Sequence, residues 1–272
     1  GSWLNTPIQI SFLHSLNTSK RKIILRSVHA NFSNNTRFNS HISRTFNREL
    51  EDLRNAVLVM GGEIEVQYQD ALEALLQHDI KLAEKVILND VKINAMEVEI
   101  DSECLRILAI RNPTASDLRL VMTVSKMVIE LERMGDEIEK IAQFVNSTEF
   151  VYSDELKLGI THMAQDVQTI LRDTFNAFAR QDLKTTMNIF ALERLVDEKY
   201  NELRLQLEQE IQQDVQHIHY WLDVNTLIRS FERIADRCVN LCEYLVYLAG
   251  GKDLRHNSGK KIQKKIQALI KS

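Results

Sequence analysis

From about Ile42 onward, apolar residues recur every three or four positions. The first such stripe is Phe46, Leu50, Leu53, Val57, Met60, Ile64, Tyr68, Ala71 and Leu75. Its heptad-like spacing predicts an amphipathic helix from near Ser43 to about His78. Gly61-Gly62 interrupts the stripe with no polar cluster nearby, so close helix packing is expected there rather than a hinge. Asp79 is placed to cap a second helix that carries Leu82, Val86, Ile93, Met96, Ile100, Cys104 and Ile107 on one face. Asn112-Pro113 ends that helix, and Thr114-Ala115-Ser116-Asp117 reads as a capping box opening a third. The third helix continues through Leu120, Val124, Met127, Leu131, Met134, Ile138, Ile141 and Val145, and Asn146 to Asp154 forms a linker.

The pattern then repeats. Asp70, Ala74 and Asp79 recur as Asp173, Ala177 and Asp182, and Asp90 and Asn94 recur as Glu193 and Asp197. Leu131-Glu132-Arg133-Met134-Gly135-Asp136 returns as Phe231-Glu232-Arg233-Ile234-Ala235-Asp236. Three helical elements recurring in order and in register indicate an internal duplication. The expected fold is all-α, two three-helix antiparallel bundles in tandem over residues 42–150 and 151–250. Composition agrees: 272 residues with 2 Pro and 8 Gly suit long helices with few tight turns. No apolar run approaches the roughly 20 residues that span a bilayer.

Charge and cysteine content change the picture only at the edges. Residues 1–48 hold Lys20, Arg21, Lys22, Arg26, Arg37, Arg44 and Arg48 and no acid, so a net charge of -4 divides into +7 there and -11 elsewhere. The opening Gly1-Ser2 has the look of a tag-cleavage scar. Residues 1–41 are expected to be a weakly ordered basic extension, with a transit peptide or a nucleic-acid-binding arm as alternatives; no nucleic-acid partner is expected. Residues 251–272 form a basic tail, amphipathic over 259–270, for which contact with anionic lipid and a solvated, frayed helix are both open. Cys104, Cys238 and Cys242 are too few for a disulfide framework and are expected as small buried helix residues in a reducing compartment.

The chemistry lies in the acidic pairs. Glu132/Asp136 and Glu232/Asp236 each stand one helical turn apart on one face. In a helical hairpin, residues equally far from the turn face each other. Asp90 with Asp136 and Asn94 with Glu132 both centre on Pro113, while Glu193 with Asp236 and Asp197 with Glu232 both centre near Asp214. Helices two and three of each repeat therefore bring their acids to one height, about 27 Å from the turn for roughly 18 residues. Most of these acids directly follow a core residue, which places the patch on the bundle flank, open to solvent. Lys140 follows Asp136 by one turn where the second repeat offers Asn240, a further oxygen donor. Oxygen-only sets suit hard cations such as Mg²⁺, Mn²⁺ or iron, with zinc a further candidate. Unpaired or arginine-paired solvated acids are the alternative. Glu97 and Asp101 are expected to be solvated, and His217 and His219 to belong to a turn. None of the eight His lies three residues after a Glu, which argues against a buried di-iron oxidase site. No nucleophile, phosphate-cradling glycine loop or concave pocket is expected, so the chain reads as a non-enzyme. A metal-dependent carboxylate-cluster enzyme and a metal-free scaffold remain as rivals.

The duplicated Leu131–Asp136 and Phe231–Asp236 motifs, together with Arg111-Asn112-Pro113-Thr114-Ala115-Ser116-Asp117-Leu118-Arg119, closely resemble the PhoU family of phosphate-uptake regulators. So do His41-x-Ser43-x-x-Phe46-x-x-Glu49-Leu50 and Gly251-Lys252-Asp253-x-Arg255-His256. The resemblance covers roughly residues 41–256. It implies surface metal clusters at the positions matching Glu132/Asp136, Glu193/Asp197 and Glu232/Asp236, with Asp90/Asn94 matching in part. It also implies a cytoplasmic protein at the inner membrane face, expected as a homodimer. Such a protein represses the phosphate-starvation regulon as an adapter between the ATPase subunit of an ABC phosphate transporter and a sensor histidine kinase.

Overall fold

A computed structural model describes residues 44–147, 153–251 and 266–270. Among the described residues, six long helices follow in order: α1 (Arg44–Gln77), α2 (Ile80–Arg111), α3 (Ala115–Ser147), α4 (Asp154–Arg180), α5 (Leu183–Gln213) and α6 (Ile218–Gly250). A 3-10 turn, Val215–His217, joins α5 to α6. Residues 1–43, with the basic extension and the start of the Phe46 motif, lie outside the described residues, as do 148–152 and 252–265. The fold is all-α, two three-helix bundles related by duplication, α1–α3 and α4–α6.

Local chemistry makes the turns, and the duplication reaches them. Asp79 accepts from the Leu82 N–H (3.1 Å), and Asp182 accepts from the N–H groups of Lys184 (2.9 Å) and Thr185 (3.3 Å). Each satisfies donors that a helix start leaves without a partner. The residue before each cap, His78 or Gln181, has φ of +54°. In both turns the cap N–H donates back to an alanine carbonyl, Ala74 or Ala177. The start of α3 differs from the expected box. Ala115 has φ of +47°, and the Asp117 N–H donates to the main-chain carbonyl of Thr114 (3.1 Å). Asp117 itself is buried, so its carboxylate faces inward instead of capping from solvent.

The two repeats do not stand apart as separate bundles. α3 packs along α6 and α1 along α4, so α2 and α5 are left outermost and one apolar core runs through both halves. Gly61 makes the α1–α4 approach possible, since a Cβ there would lie 2.6 Å from the Phe175 ring. Tyr68 spans the same junction. Its hydroxyl donates to the Ala164 carbonyl at 2.7 Å and its ring meets Phe231 edge-on.

Two buried carboxylates hold α3 to α6. Glu130 accepts from Arg237 (3.0 Å) and Asn240 (3.1 Å), and Glu137 accepts from Ser230 (2.9 Å), Arg233 (3.0 Å) and Lys140 (2.9 Å). Residues rise along α3 as they fall along α6, so these helices run antiparallel. Glu49 closes the other end of the first bundle, accepting from Arg111 Nε (2.7 Å) and Nη2 (2.8 Å) and from Arg106 (3.0 Å).

The three cysteines are buried free thiols, as their spacing predicts. The end of the basic tail departs from both expectations. Ile266 is fully buried against Val246, with Leu183, Met187 and Phe190 alongside, so apolar surface of the tail is spent on its own bundle. Among the described residues no helix is long and apolar enough to cross a membrane.

Candidate metal centres

Each repeat holds one carboxylate cluster where its second helix faces its third. In the first, Asp90 of α2 meets Asp136 and Glu139 of α3, each offering an oxygen within 4.8 Å of the others. In the second, Glu193 and Asp197 of α5 meet Asp236 of α6 within the same distance. Facing residues thus stand at one height in both halves, because both hairpins fold at the turns that Pro113 and Asp214 mark.

The other candidates take different places. Asn94 donates to Asp90 Oδ2 at 2.8 Å, so it supports the cluster with its amide nitrogen. Glu132 and Glu232 stand one turn from the cluster aspartates and feel their charge. Asn240 has its amide nitrogen committed to Glu130 and lines a polar hollow with Tyr200, Arg229, Glu232, Arg233 and Asp236. That hollow is a shallow depression open to solvent. Asp101 is not simply solvated. It accepts from Ser125 at 2.6 Å and ties α2 to α3. Glu97 is half-buried and acts on Glu132. His217, in the inter-helix turn, bonds Asp214 at 2.8 Å.

Sequence reasoning missed Glu139. It sits three residues after Asp136, hence on the same face, but the second repeat has Val239 there, so a search for duplicated acids passes over it. The placement of Asp90 also departs from expectation. The patch was to lie open on the flank, yet Asp90 is only 6% exposed and its Oδ1 has no hydrogen-bond partner. Ile93 and the Gly135 backbone close over it.

Electrostatics record the crowding. Burial raises the Asp90 carboxyl, Glu139 and Asp136 raise it further, and the Asn94 amide partly opposes them. Glu132 is raised by burial, then by Asp136 and Glu97. Burial, Asp197 and Asp236 push Glu193 up to about 7. Glu232 is raised by burial, Asp236 and Asp197, and Asp236 by burial and Asp197 against the opposing charges of Arg237 and Arg233. Clustered acids that resist ionising together are what a bound cation relieves. An all-oxygen donor set with a buried, unpartnered carboxylate oxygen fits a hard cation such as Mg²⁺, Mn²⁺ or iron, and fits softer metals less well.

Comparison with known proteins accords with this architecture. The PhoU domain matches residues 57–145 and 160–245, one copy per bundle. The phosphate-specific transport system accessory protein PhoU of Escherichia coli is 40% identical over 226 residues, covering 83% of this chain and 94% of that protein. That of Serratia marcescens is 41% identical over 230 residues, covering 85% and 95%. The crystal structure of PhoU from Pseudomonas aeruginosa superposes with a TM-score of 0.72 at 39% identity, covering 76% of this chain and 100% of that one. The phosphate transport system regulatory protein PhoU from Streptococcus pneumoniae gives 0.70 at 30% identity, covering 76% and 98%. With the domain matched in both halves, at this identity and over nearly the full length of these relatives, the chain belongs to the PhoU family.

Proposed function

We propose that this protein regulates phosphate uptake as a metal-braced adapter and not as an enzyme. In this reading it sits in the cytoplasm at the inner membrane face, as a homodimer. It links the ATPase subunit of an ABC phosphate transporter to a sensor histidine kinase and represses the phosphate-starvation regulon. The observation that carries it is the pair of carboxylate clusters, one per repeat, set on long rigid helices within a family whose relatives are named as phosphate-transport accessory proteins. Asp90, Asp136 and Glu139 would hold one cation set, supported by Asn94 and Glu132. Glu193, Asp197 and Asp236 would hold the other, supported by Glu232. A bound cation supplies positive charge that neutralises the crowded acids and ties α2 to α3 and α5 to α6. The adapter faces are then held in a fixed arrangement.

The deciding experiment is a pull-down of the transporter ATPase and the kinase with the full chain, alongside a phosphate-starvation reporter in cells lacking this protein. Capture of both partners and constitutive reporter expression are expected, and failure to capture either sinks the adapter reading. Elemental analysis of the wild type against Glu232→Ala/Asp236→Ala tests the metal separately; equal metal content removes the second cluster. One rival is a metal-dependent hydrolase using the acids beside the open hollow at Glu232 and Asp236. Clear phosphatase turnover with Mn²⁺ or Fe²⁺ establishes it instead.

A further inference from the structure

The outer face of α2 carries a second apolar pattern that the core does not use. Leu88, Val91, Ala95, Val98, Leu105 and Ala109 follow each other at alternating three- and four-residue steps, with Ser102 the one polar residue in the series. All point away from the core. Leu88 is 76% exposed, Val91 72%, and Val98 and Leu105 61% each. This is the a/d spacing of a coiled-coil seam. Over 21 residues the stripe is ~32 Å long and ~10 Å wide, a few hundred Å² of apolar surface, the size at which exposed patches mark an interaction site.

The duplication supplies an internal control. The equivalent outer face of α5 reads Ala191, Arg194, Glu198, Asn201, Leu205 and Glu208. α2 and α5 hold the same outermost place in their bundles, packed on their own two neighbours. The fold therefore works with a polar face at this position, and the apolar one on α2 answers to something outside the bundle.

We propose that the occupant is α2 of a second copy of this chain, packed antiparallel in an isologous interface. Antiparallel a-to-d layers centred between Met96 and Glu97 set Leu88 against Leu105 of the second copy, Val91 against Ser102 and Ala95 against Val98, each occurring twice by symmetry. The flanking positions then place Lys92 opposite Glu99 of the second copy, also twice. Lys92, which reaches its own Glu63 (2.9 Å), and the exposed Glu99 are of opposite sign across the seam. The same flank brings Lys85 towards Arg106 near the two ends, where each cation is already held by its own acid, Lys85 by Asp70 and Arg106 by Glu49 and Glu103. One helix face thus matches itself in register, with opposite charges meeting beside the centre of the seam. This rests on the homodimer reading above and deepens it by assigning the face.

Light scattering and sedimentation of the full chain at tens of micromolar, with and without Val91→Glu/Val98→Glu, form the test. Both replaced residues are exposed, so helicity and melting temperature should stay near wild type. The expected result is twice the 31.5 kDa chain mass for wild type. The double variant should be monomeric, its dissociation constant raised at least a hundredfold, while Leu205→Glu on α5 changes nothing. A double variant that stays dimeric overturns the face and leaves the homodimer standing. A monomeric wild type overturns both, including the case in which a transporter or kinase helix occupies the stripe. Mixing Ala95→Cys with Val98→Cys chains under mild oxidation should give the mixed interchain disulfide. Cross-linking of Ala95→Cys only with itself overturns the antiparallel register.

Discussion

A Cβ on Gly135 would fall 3.0 Å from Asp90 Oδ1 and 3.1 Å from Ile93 Cγ2, so the missing methyl is what lets the buried Asp90 carboxylate lie against α3. In the second repeat the equivalent residues are Ala235 and Glu193, a methyl added on one helix and a methylene added to the acid facing it. With the longer acid opposite the methyl, the second cluster forms as the first does. Gly135→Ala should therefore impair the first centre selectively. Helix propensity favours the alanine by about 1 kcal/mol, offsetting part of the crowding, so stability should change little. Metal bound per chain, measured by elemental analysis after Mn²⁺ loading, should fall to the share held by the second cluster.

Metal uptake at the second cluster should depend on pH with a known sign. Glu193, pushed from the ordinary 4.5 to about 7, keeps its proton across that interval in the folded protein, and a cation has to displace it. Affinity for Mn²⁺ by calorimetry should rise with pH up to about 7, by at most about tenfold per unit for one proton, and level off above. Glu193→Gln should flatten the rise. The metal-free protein should show the converse. Its raised carboxyl contributes stability that is full below about 4.5 and is lost as pH climbs through about 7.

The join between the repeats should be most sensitive at Glu137. Burial works to raise this carboxyl, but bonds from Lys140, Arg233 and Ser230 outweigh it and hold it below the usual range. Glu137→Ala removes the buried acceptor of all three partners; Lys140 and Arg233 still reach water, while the buried Ser230 hydroxyl loses its acceptor. A loss of about 2 kcal/mol is expected for the unsatisfied buried donor and the lost bonds, a fall in melting temperature on the order of 5 °C. Glu130 and Arg237, tested as a double-mutant cycle, should show a coupling of about 1 kcal/mol or more. Additive single-variant effects would dissociate that pair from the α3–α6 contact.

Acid should loosen the first bundle at its α1 end. Arg111, then Arg106, hold the Glu49 carboxyl at about 2, well under its ordinary 4.5. A depressed carboxyl contributes stability that is full above 4.5 and disappears as pH falls through about 2. Glu49→Gln should remove that component from an acid-unfolding curve followed by circular dichroism, leaving the neutral-pH helicity unchanged.

Helix limits, the Asp79 and Asp182 caps and the register of the duplication are written locally, in apolar spacing and in single residues, and the sequence by itself determined them; the start of α3, where Asp117 is buried, it did not. The meeting of Asp90 with Asp136, and of Glu193 with Asp236, was legible too, because a hairpin's turn dictates which residues share a height. Three things needed the folded molecule: the burial of Asp90 beside Gly135, the recruitment of Glu139, and the pairing of α3 with α6 through Glu130 and Glu137. Periodicity says which side of a helix is apolar but not which helix will cover it. A carboxylate on the margin of that side is solvated or buried according to the neighbour that arrives. Only tertiary packing chose those neighbours, and with them which acids lost water and gathered into clusters.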